Sequence, residues 1–352
     1  MEHYYNNYKE LEMWKEMERR QGTEHEREMM KDIIDMAAMK LDKIPNVFPN
    51  YTLHSPLHSE NVLRHMKNFL GERIKDLSDE ELIILILSAY MHDVGMYYDK
   101  KDISSIVDSD EFAKYLDENP TEYLKYKNTP DLVSDVINGF CRCYHARRVR
   151  KFVLEVNEQN KGILMKSIDI LDKTAAVCES HNDNVRSIIS NSILNTNLGY
   201  SADMKFCAIL LRLADYVDFD GSRTPEYMYH FLGIENKDKN CIDNWKRHLN
   251  SGGFIFGVEN GNVLGYCAEP DEPYVEYTIR CLLDEIESEL RECNDILQVC
   301  NIKWRNFRLP YSIDRKQIIS HGYNYGEYTF TLNSHARTLG TTINETVQTV
   351  GY

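Results

Sequence analysis

Positive charge is in short supply in this sequence: 41 Lys and Arg face 56 Asp and Glu, a net charge of −15 with histidine neutral. A chain without surplus cations cannot displace counterions along an extended nucleic-acid backbone, although a local basic cluster can still hold a small phosphate. Long apolar runs are missing too. No stretch approaches a membrane span, and Met1-Glu2-His3-Tyr4-Tyr5 has no apolar signal core. Nine cysteines, at 141, 143, 178, 207, 241, 267, 281, 293 and 300, make an odd count without a CxxC pair, and Cys141-Arg142-Cys143 is too tight for an ordinary zinc clip. Together these absences argue against a disulfide framework and lead us to expect a cytoplasmic protein with free thiols. Internal repeats and low-complexity tracts are lacking as well. What is present is 42% hydrophobic content over 352 residues, enough for a substantial core and, by length, roughly two domains.

The dipeptide His92-Asp93 closes the most apolar stretch of the chain. Ser78 followed by Glu81 reads as a capping box opening a helix, and Leu82 to Leu87 is apolar all round, as in a helix packed on every side. An imidazole and a carboxylate therefore sit where that helix leaves the core. A buried carboxylate is costly unless a cation or a donor meets it, and a metal ion would take the imidazole as well.

Other helices deliver the same residue types. Ser55 suits an N-cap and Pro56 the first helical position, so His58 enters with the first turn, ahead of Val62, His65 and Phe69 on one stripe. After Thr129-Pro130, the residues Val133, Ile137, Phe140 and Tyr144 mark a buried face that predicts His145 at a helix end. Ile168, Leu171, Ala175, Cys178 and His181 follow helical spacing. A further helix, expected to open at Ser201, carries Ala208, Leu211, Asp215 and Asp218 on one face. Singly, each has an ordinary structural reading; His181 could complement a helix dipole and His145 could be a core imidazole.

In this order, His58, His92-Asp93, His145, His181 and Asp215 resemble the motif of the HD-domain metal-dependent phosphohydrolase superfamily, in its form with two extra histidines. Tyr51 to His58, Leu210 to Asp218 and Arg223-Thr224-Pro225 are similar to the branch found beside nucleotide cyclases and chaperone-type ATPase domains. The resemblance covers about residues 45–250. It implies that His58, His92, Asp93 and Asp215 form one metal site and that His145 and His181 build a second, with Asp93 bridging as the catalytic carboxylate. Imidazole with carboxylate suits Mn, Fe, Ni, Co or Zn, and the resemblance implies two such ions. Sharing one carboxylate, they could bind a phosphate, lower the pKa of water and stabilise the transition state.

Arg142, Arg147, Arg148, Arg150 and Lys151 bracket His145. Arg142 and Arg148, three residues either side of it, are the better candidates for a substrate phosphate, and the distal pair reads as a solvated face. Arg223 either reaches a phosphate or pairs with Asp218 or Asp220. Those two carboxylates read as shaping the loop before Gly221, and His65 reads as a packing residue.

The fold expected is mainly α, an HD-type helical domain with a small α+β C-terminal part. Residues 1–44 form an N-terminal helical segment, two helices joined near Gln21-Gly22-Thr23 that brace the domain or a partner chain. Residues 45–238 form the HD domain, within which the acidic, Tyr-rich stretch 98–130 is either a lid or an ordinary connection. Residues 239–352 form the α+β part: a hairpin about Asn260-Gly261-Asn262, a long helix from about 273 to 300 with Ile279, Leu282, Ile286, Leu290 and Leu297 on one face, and a strand over 325–332. Trp245 and His248 read as packing residues.

Two functions are consistent with this pattern. One is a phosphohydrolase cleaving a phosphoester or nucleotide. The other is a nucleotide-sensing module that signals to a partner or fused ATPase domain. Gly95 is followed by Met96, where the cyclic-dinucleotide-opening branch usually has Lys, which argues against that substrate. The Arg and Lys constellation of guanosine tetraphosphate hydrolases is not apparent. A small phosphorylated substrate is the expected partner; at the protein level a homo-oligomer or an ATPase-type partner is open, and no membrane is expected.

Overall fold

A helix that is apolar on every side must be packed on every side, and the chain is built about such a helix. The computed structural model describes residues 5, 7–159, 167–195, 202–237 and 239–324. In chain order, α1 (Glu12–Arg19) and α2 (Glu24–Leu41) lead through α3 (Ile44–Val47) into α4 (Pro56–Leu70) and α5 (Asp79–Met91). Three short helices, α6 (Asp102–Val107), α7 (Asp110–Glu118) and α8 (Pro120–Asn128), precede α9 (Val133–Gln159), α10 (Ser167–Ser180), α11 (Ser187–Ser190) and α12 (Met204–Tyr216). The remainder comprises α13 (Glu226–Phe231), α14 (Lys239–Leu249), strands β1 (Ser251–Val258) and β2 (Val263–Ala268), α15 (Pro273–Leu297), α16 (Ile302–Arg305) and β3 (Ser312–Ile318). The protein is thus mainly α with a small α+β part, as expected.

Helix α5 begins with the capping box read from the sequence. Ser78 Oγ accepts from Glu81 N at 3.1 Å, and Glu81 Oε2 accepts from Ser78 N at 2.8 Å. Leu82 to Leu87 are all buried, each side chain contributing roughly 1.5–3 kcal/mol over its exposed state. Around α5 stand α2, α4, α10 and α12. Helices α1 and α2 pack on it, and their Trp14, Met30, Ile33 and Ile34 are buried. The apolar core runs without interruption from Tyr8 to Ile313, so all three sequence segments contribute to it. All nine cysteines are free thiols. Among the described residues no helix is long and apolar enough to cross a membrane.

Several local expectations are corrected. Helix α9 continues well past His145, because Val149, Phe152, Val153 and Val156 extend its buried face and no stop signal intervenes. Ser201 lies outside the described residues. The N-cap of α12 is Asp203, whose carboxylate accepts from Phe206 N at 3.0 Å. The hairpin forms as expected, its connection being a 3-10 turn with Glu259 and Gly261 at positive φ. On α15, Leu283 rather than Leu282 is fully buried, Leu282 being only partly so. The sheet has order β1-β2-β3, and β3, which the sequence did not reveal, pairs parallel to β2 after the crossover through α15. The strand expected over 325–332 lies outside the described residues. In the stretch 98–130, α6, α7 and α8 form a helical connection that packs on α9.

Glu81 does more than cap. Fully buried, it accepts from Trp304 Nε1 at 2.8 Å, Asp203 N at 3.1 Å and Lys303 Nζ at 2.5 Å, tying α5 to α12 and α16. Replacing it would leave these donors unmet. Glu81→Ala should therefore destabilise by about 3–5 kcal/mol in urea unfolding; a loss below about 1 kcal/mol, that of an ordinary cap, would contradict this account.

Candidate metal centre

Four helix ends and turns converge beside the C-terminus of α5. His58 comes from the first turn of α4, His92 caps α5, and Asp93 follows it. His145 projects from the middle of α9, His181 follows α10, and Asp215 lies in the last turn of α12. All six expected metal-ligating residues are brought together. His92 is wholly buried and Asp93 nearly so, while the side chains of His145 and Asp215 are 12% and 26% exposed and open the centre to one side.

The donor atoms fall into two groups that share Asp93: His58, His92 and Asp93, then Asp93, His145 and His181. Asp93 Oδ2 is 3.5 Å from His58 Nε2 and 3.2 Å from His92 Nε2. Its Oδ1 is 3.5 Å from His145 Nε2. Asp215 Oδ1 joins the first group, 3.1 Å from His58 Nε2 and 3.8 Å from that of His92.

Each imidazole is held by its other nitrogen. His92 Nδ1 donates to Ala89 O at 3.0 Å, His145 Nδ1 to Arg142 O at 2.6 Å, and His181 Nδ1 to Cys178 O at 2.5 Å. A carbonyl only accepts, so in the neutral ring the proton stays on Nδ1 and Nε2 presents its lone pair. His58 Nδ1 donates to Asp218 Oδ2 at 2.5 Å. The Nε2 atoms then face one another, 3.1 Å apart for His58 and His92 and 3.0 Å for His145 and His181. Two lone pairs at that distance repel unless a proton or a cation lies between them. The residues therefore fit divalent transition metals, whose preferred donors they are.

The ionisation pattern has the same cause. Burial works against charge on His92, but the Asp93 carboxylate beside it prevails and pushes its pKa up to about 9. Despite burial and the Arg223 charge, hydrogen bonds to Asp215 and Asp218 raise His58. Against the cost of burial, these imidazoles hold Asp93, Asp215 and Asp218 well below the usual carboxylate range. His181 goes the other way: burial and the neighbouring imidazoles lower it to about 3. Without a metal, protons on imidazoles supply the positive charge that the carboxylates demand.

Packing around the centre explains its geometry. Gly95 lies so close to α9 that an added Cβ would come within 2.0 Å of His145 O and 2.8 Å of Arg148 Cβ. Glycine at 95 lets the turn after Asp93 reach the helix that carries His145. Met96 beside it is buried. Arg148, expected at a substrate phosphate, instead donates from Nε to Gly95 O at 2.7 Å and from Nη2 to Tyr97 O at 3.3 Å, clamping that turn. Arg223 shows the carboxylate pairing, Nε lying 4.0 Å from Asp218 Oδ2, and also donates to Leu53 O at 3.3 Å. Arg142 lies over the Tyr51 ring at 5.0 Å. The distal cations form ion pairs, Arg150 with Glu179 and Lys151 with Asp102.

Two contributors were missed in the sequence. Asp218, read as a loop residue, orients His58; its place three residues after Asp215 on the same face was the available signal. Arg212 is buried and donates to His181 O at 2.7 Å and Asp183 O at 2.5 Å, fixing the turn that carries His181, while also pairing with Glu289 of α15. Nothing local in the sequence announces that reach.

The raised His92 pKa makes a prediction about binding. Its proton stabilises the metal-free fold fully below its unfolded pKa of about 6.5, and that stabilisation is lost as pH rises through about 9. A metal must displace this proton, so affinity for Zn or Mn should rise from pH 6.5 towards 9 with proton release. Calorimetric titration in buffers of different ionisation enthalpy measures it; a binding enthalpy independent of buffer would contradict the assignment.

The HD-CE family model matches residues 48–292, more than half of the chain, and spans every residue of the centre. No curated protein and no solved structure matches the chain. With its fold mainly α and its buried His and Asp side chains gathered as the motif order anticipated, the chain belongs to the HD-CE family, an HD-domain family.

Proposed function

We propose that the protein is a metal-dependent phosphohydrolase that cleaves a small phosphoester of about nucleotide size. The observation that carries this reading is the sharing of Asp93, which turns one oxygen to each of two groups of facing imidazole nitrogens. Held by His58, His92, Asp93 and Asp215 and by Asp93, His145 and His181, divalent transition ions would supply Lewis-acid stabilisation of phosphoryl charge and acidify water.

The chain's own residues supply the binding site. A cleft of about 1140 Å³ has His54, Arg142 and Arg223 in its wall but none of the six candidate ligands; it neighbours the centre through His54, whose ring is 5.9 Å from that of His58, and through Arg142, whose carbonyl holds His145. That volume exceeds what inorganic phosphate needs and suits a nucleotide-sized ligand. Its lining holds the cations Lys43, Lys100, Arg142 and Arg223 against the carboxylates Asp99 and Asp135, a local reversal of the chain's acidic balance. Arg142, stacked on Tyr51 and placed three residues before His145, is the cation best situated to bind a phosphate that reaches the centre. His54 donates from Nδ1 to Thr52 O at 2.7 Å, and burial keeps it neutral with a pKa lowered to about 3, so its Nε2 can accept from a substrate hydroxyl or amine. The Arg148 clamp holds the turn after Asp93 against movement.

The test is turnover. Protein loaded with Mn or Fe should hydrolyse at least one member of a panel of nucleoside mono-, di- and triphosphates, cyclic mononucleotides and cyclic dinucleotides. Asp93→Asn should lower kcat about 1000-fold or more with the fold intact, because an amide cannot balance two cation sites. Arg142→Ala should raise KM about tenfold with little change in kcat. Tight nucleotide binding without turnover under any metal would replace the hydrolase with the nucleotide sensor.

A further inference from the structure

His65 lies two helical turns after His58 on α4, on the same face. Asp218, whose side chain is fully buried, stands between the two rings. Its Oδ2 accepts from His58 Nδ1 at 2.5 Å, and its Oδ1 is 3.5 Å from His65 Nε2. Among the described residues Oδ1 has no hydrogen-bond partner, which leaves His65 as the group that faces it. The other face of His65 is covered by β1: the Phe256 ring stacks on it at 5.8 Å and 27°, with its edge on Phe69 at 5.0 Å. A competitor is close by, since Arg223 Nε is 4.0 Å from Asp218 Oδ2, the oxygen that holds His58.

We propose that His65 is a positioning residue for the metal centre: it keeps Asp218 on His58 against the pull of Arg223, which pairs with the same carboxylate oxygen, and Phe256 of the C-terminal hairpin holds His65. The inference rests on the metal-centre reading above. A buried carboxylate follows the nearest cation or donor. With His65 in place, Oδ1 faces its ring and Oδ2 stays on His58 Nδ1. Without it, rotation towards the Arg223 guanidinium releases His58, whose ring then no longer presents Nε2 to the first donor group. Partners beyond the direct ligands commonly alter metal affinity by 10–100-fold. The hairpin, remote in sequence from every ligand, thereby supports one half of the centre and leaves the His145 and His181 half alone.

Cobalt(II) binding by the full chain tests this, in a His145→Ala/His181→Ala parent that keeps only the first donor group, with dissociation constant and visible d–d spectrum as readouts. His65→Ala should weaken binding about tenfold and change the spectrum. Phe256→Ala should do the same to a smaller degree. His65→Gln, whose side-chain amide can donate to the same carboxylate, should recover most of the affinity. Adding His65→Ala to Asp218→Asn should cost nothing further, because His65 acts only through the Asp218 carboxylate. Binding by His65→Ala equal to that of the parent, beside a weakened Asp218→Asn, would overturn the proposal and leave His65 a packing residue. Additive losses would overturn it as well. Absence of cobalt from the wild-type chain and the parent alike would instead overturn the metal-centre reading itself.

Discussion

Facing lone pairs are the constraint on which the rest of this structure depends. Backbone carbonyls take Nδ1 of three of the imidazoles, and Asp218 takes that of the fourth. Once those bonds are made, the Nε2 atoms converge about Asp93 and their repulsion demands a positive charge between them. Protons can meet the demand in part, as the raised His92 and His58 pKa values indicate. Divalent ions meet it better, because each can draw on several donors at once. The centre is thus costly when empty of cations, and a rigid surround has to hold it open.

That surround comes from every part of the chain. Packing on all sides of α5 fixes the helix end that bears His92 and Asp93. The close approach at Gly95 and the Arg148 clamp join that end to α9. Arg212 fixes the His181 turn and is itself paired to α15. Glu81 joins the start of α5 to α16. Residues after 238 are therefore structural partners of the centre, which accords with a family match running on to residue 292.

Much of the centre was legible because short-range signals set it. The Ser78 and Glu81 box, Pro56 at the first turn of α4 and the all-apolar run to Leu87 locate His58, His92 and Asp93 from sequence alone. His145 reaches the centre as anticipated but was misplaced along its helix, since the apolar stripe was read as ending where it continues. Arg148 was assigned by nearness to His145 in sequence; on the folded chain the turn at Gly95 is nearer and takes its guanidinium. Strand β3 escaped notice because its partner is reached only after the α15 crossover.

By itself, then, the sequence determined the mainly α character, the capping box that opens α5, the first turn of α4, the order of the six candidate ligands and the acidic balance of the chain. These follow from patterns a few residues long, where period and capping chemistry act locally. Tertiary structure alone decided which carboxylate orients His58, that Asp93 is shared between two donor groups, where Arg148, Arg212 and Glu81 spend their hydrogen bonds, and that a basic cleft stands beside the centre in an acidic chain. Each of these depends on side chains from distant segments meeting in a buried space, where an unmet charge or donor is too costly to leave and finds whatever partner packing brings within reach.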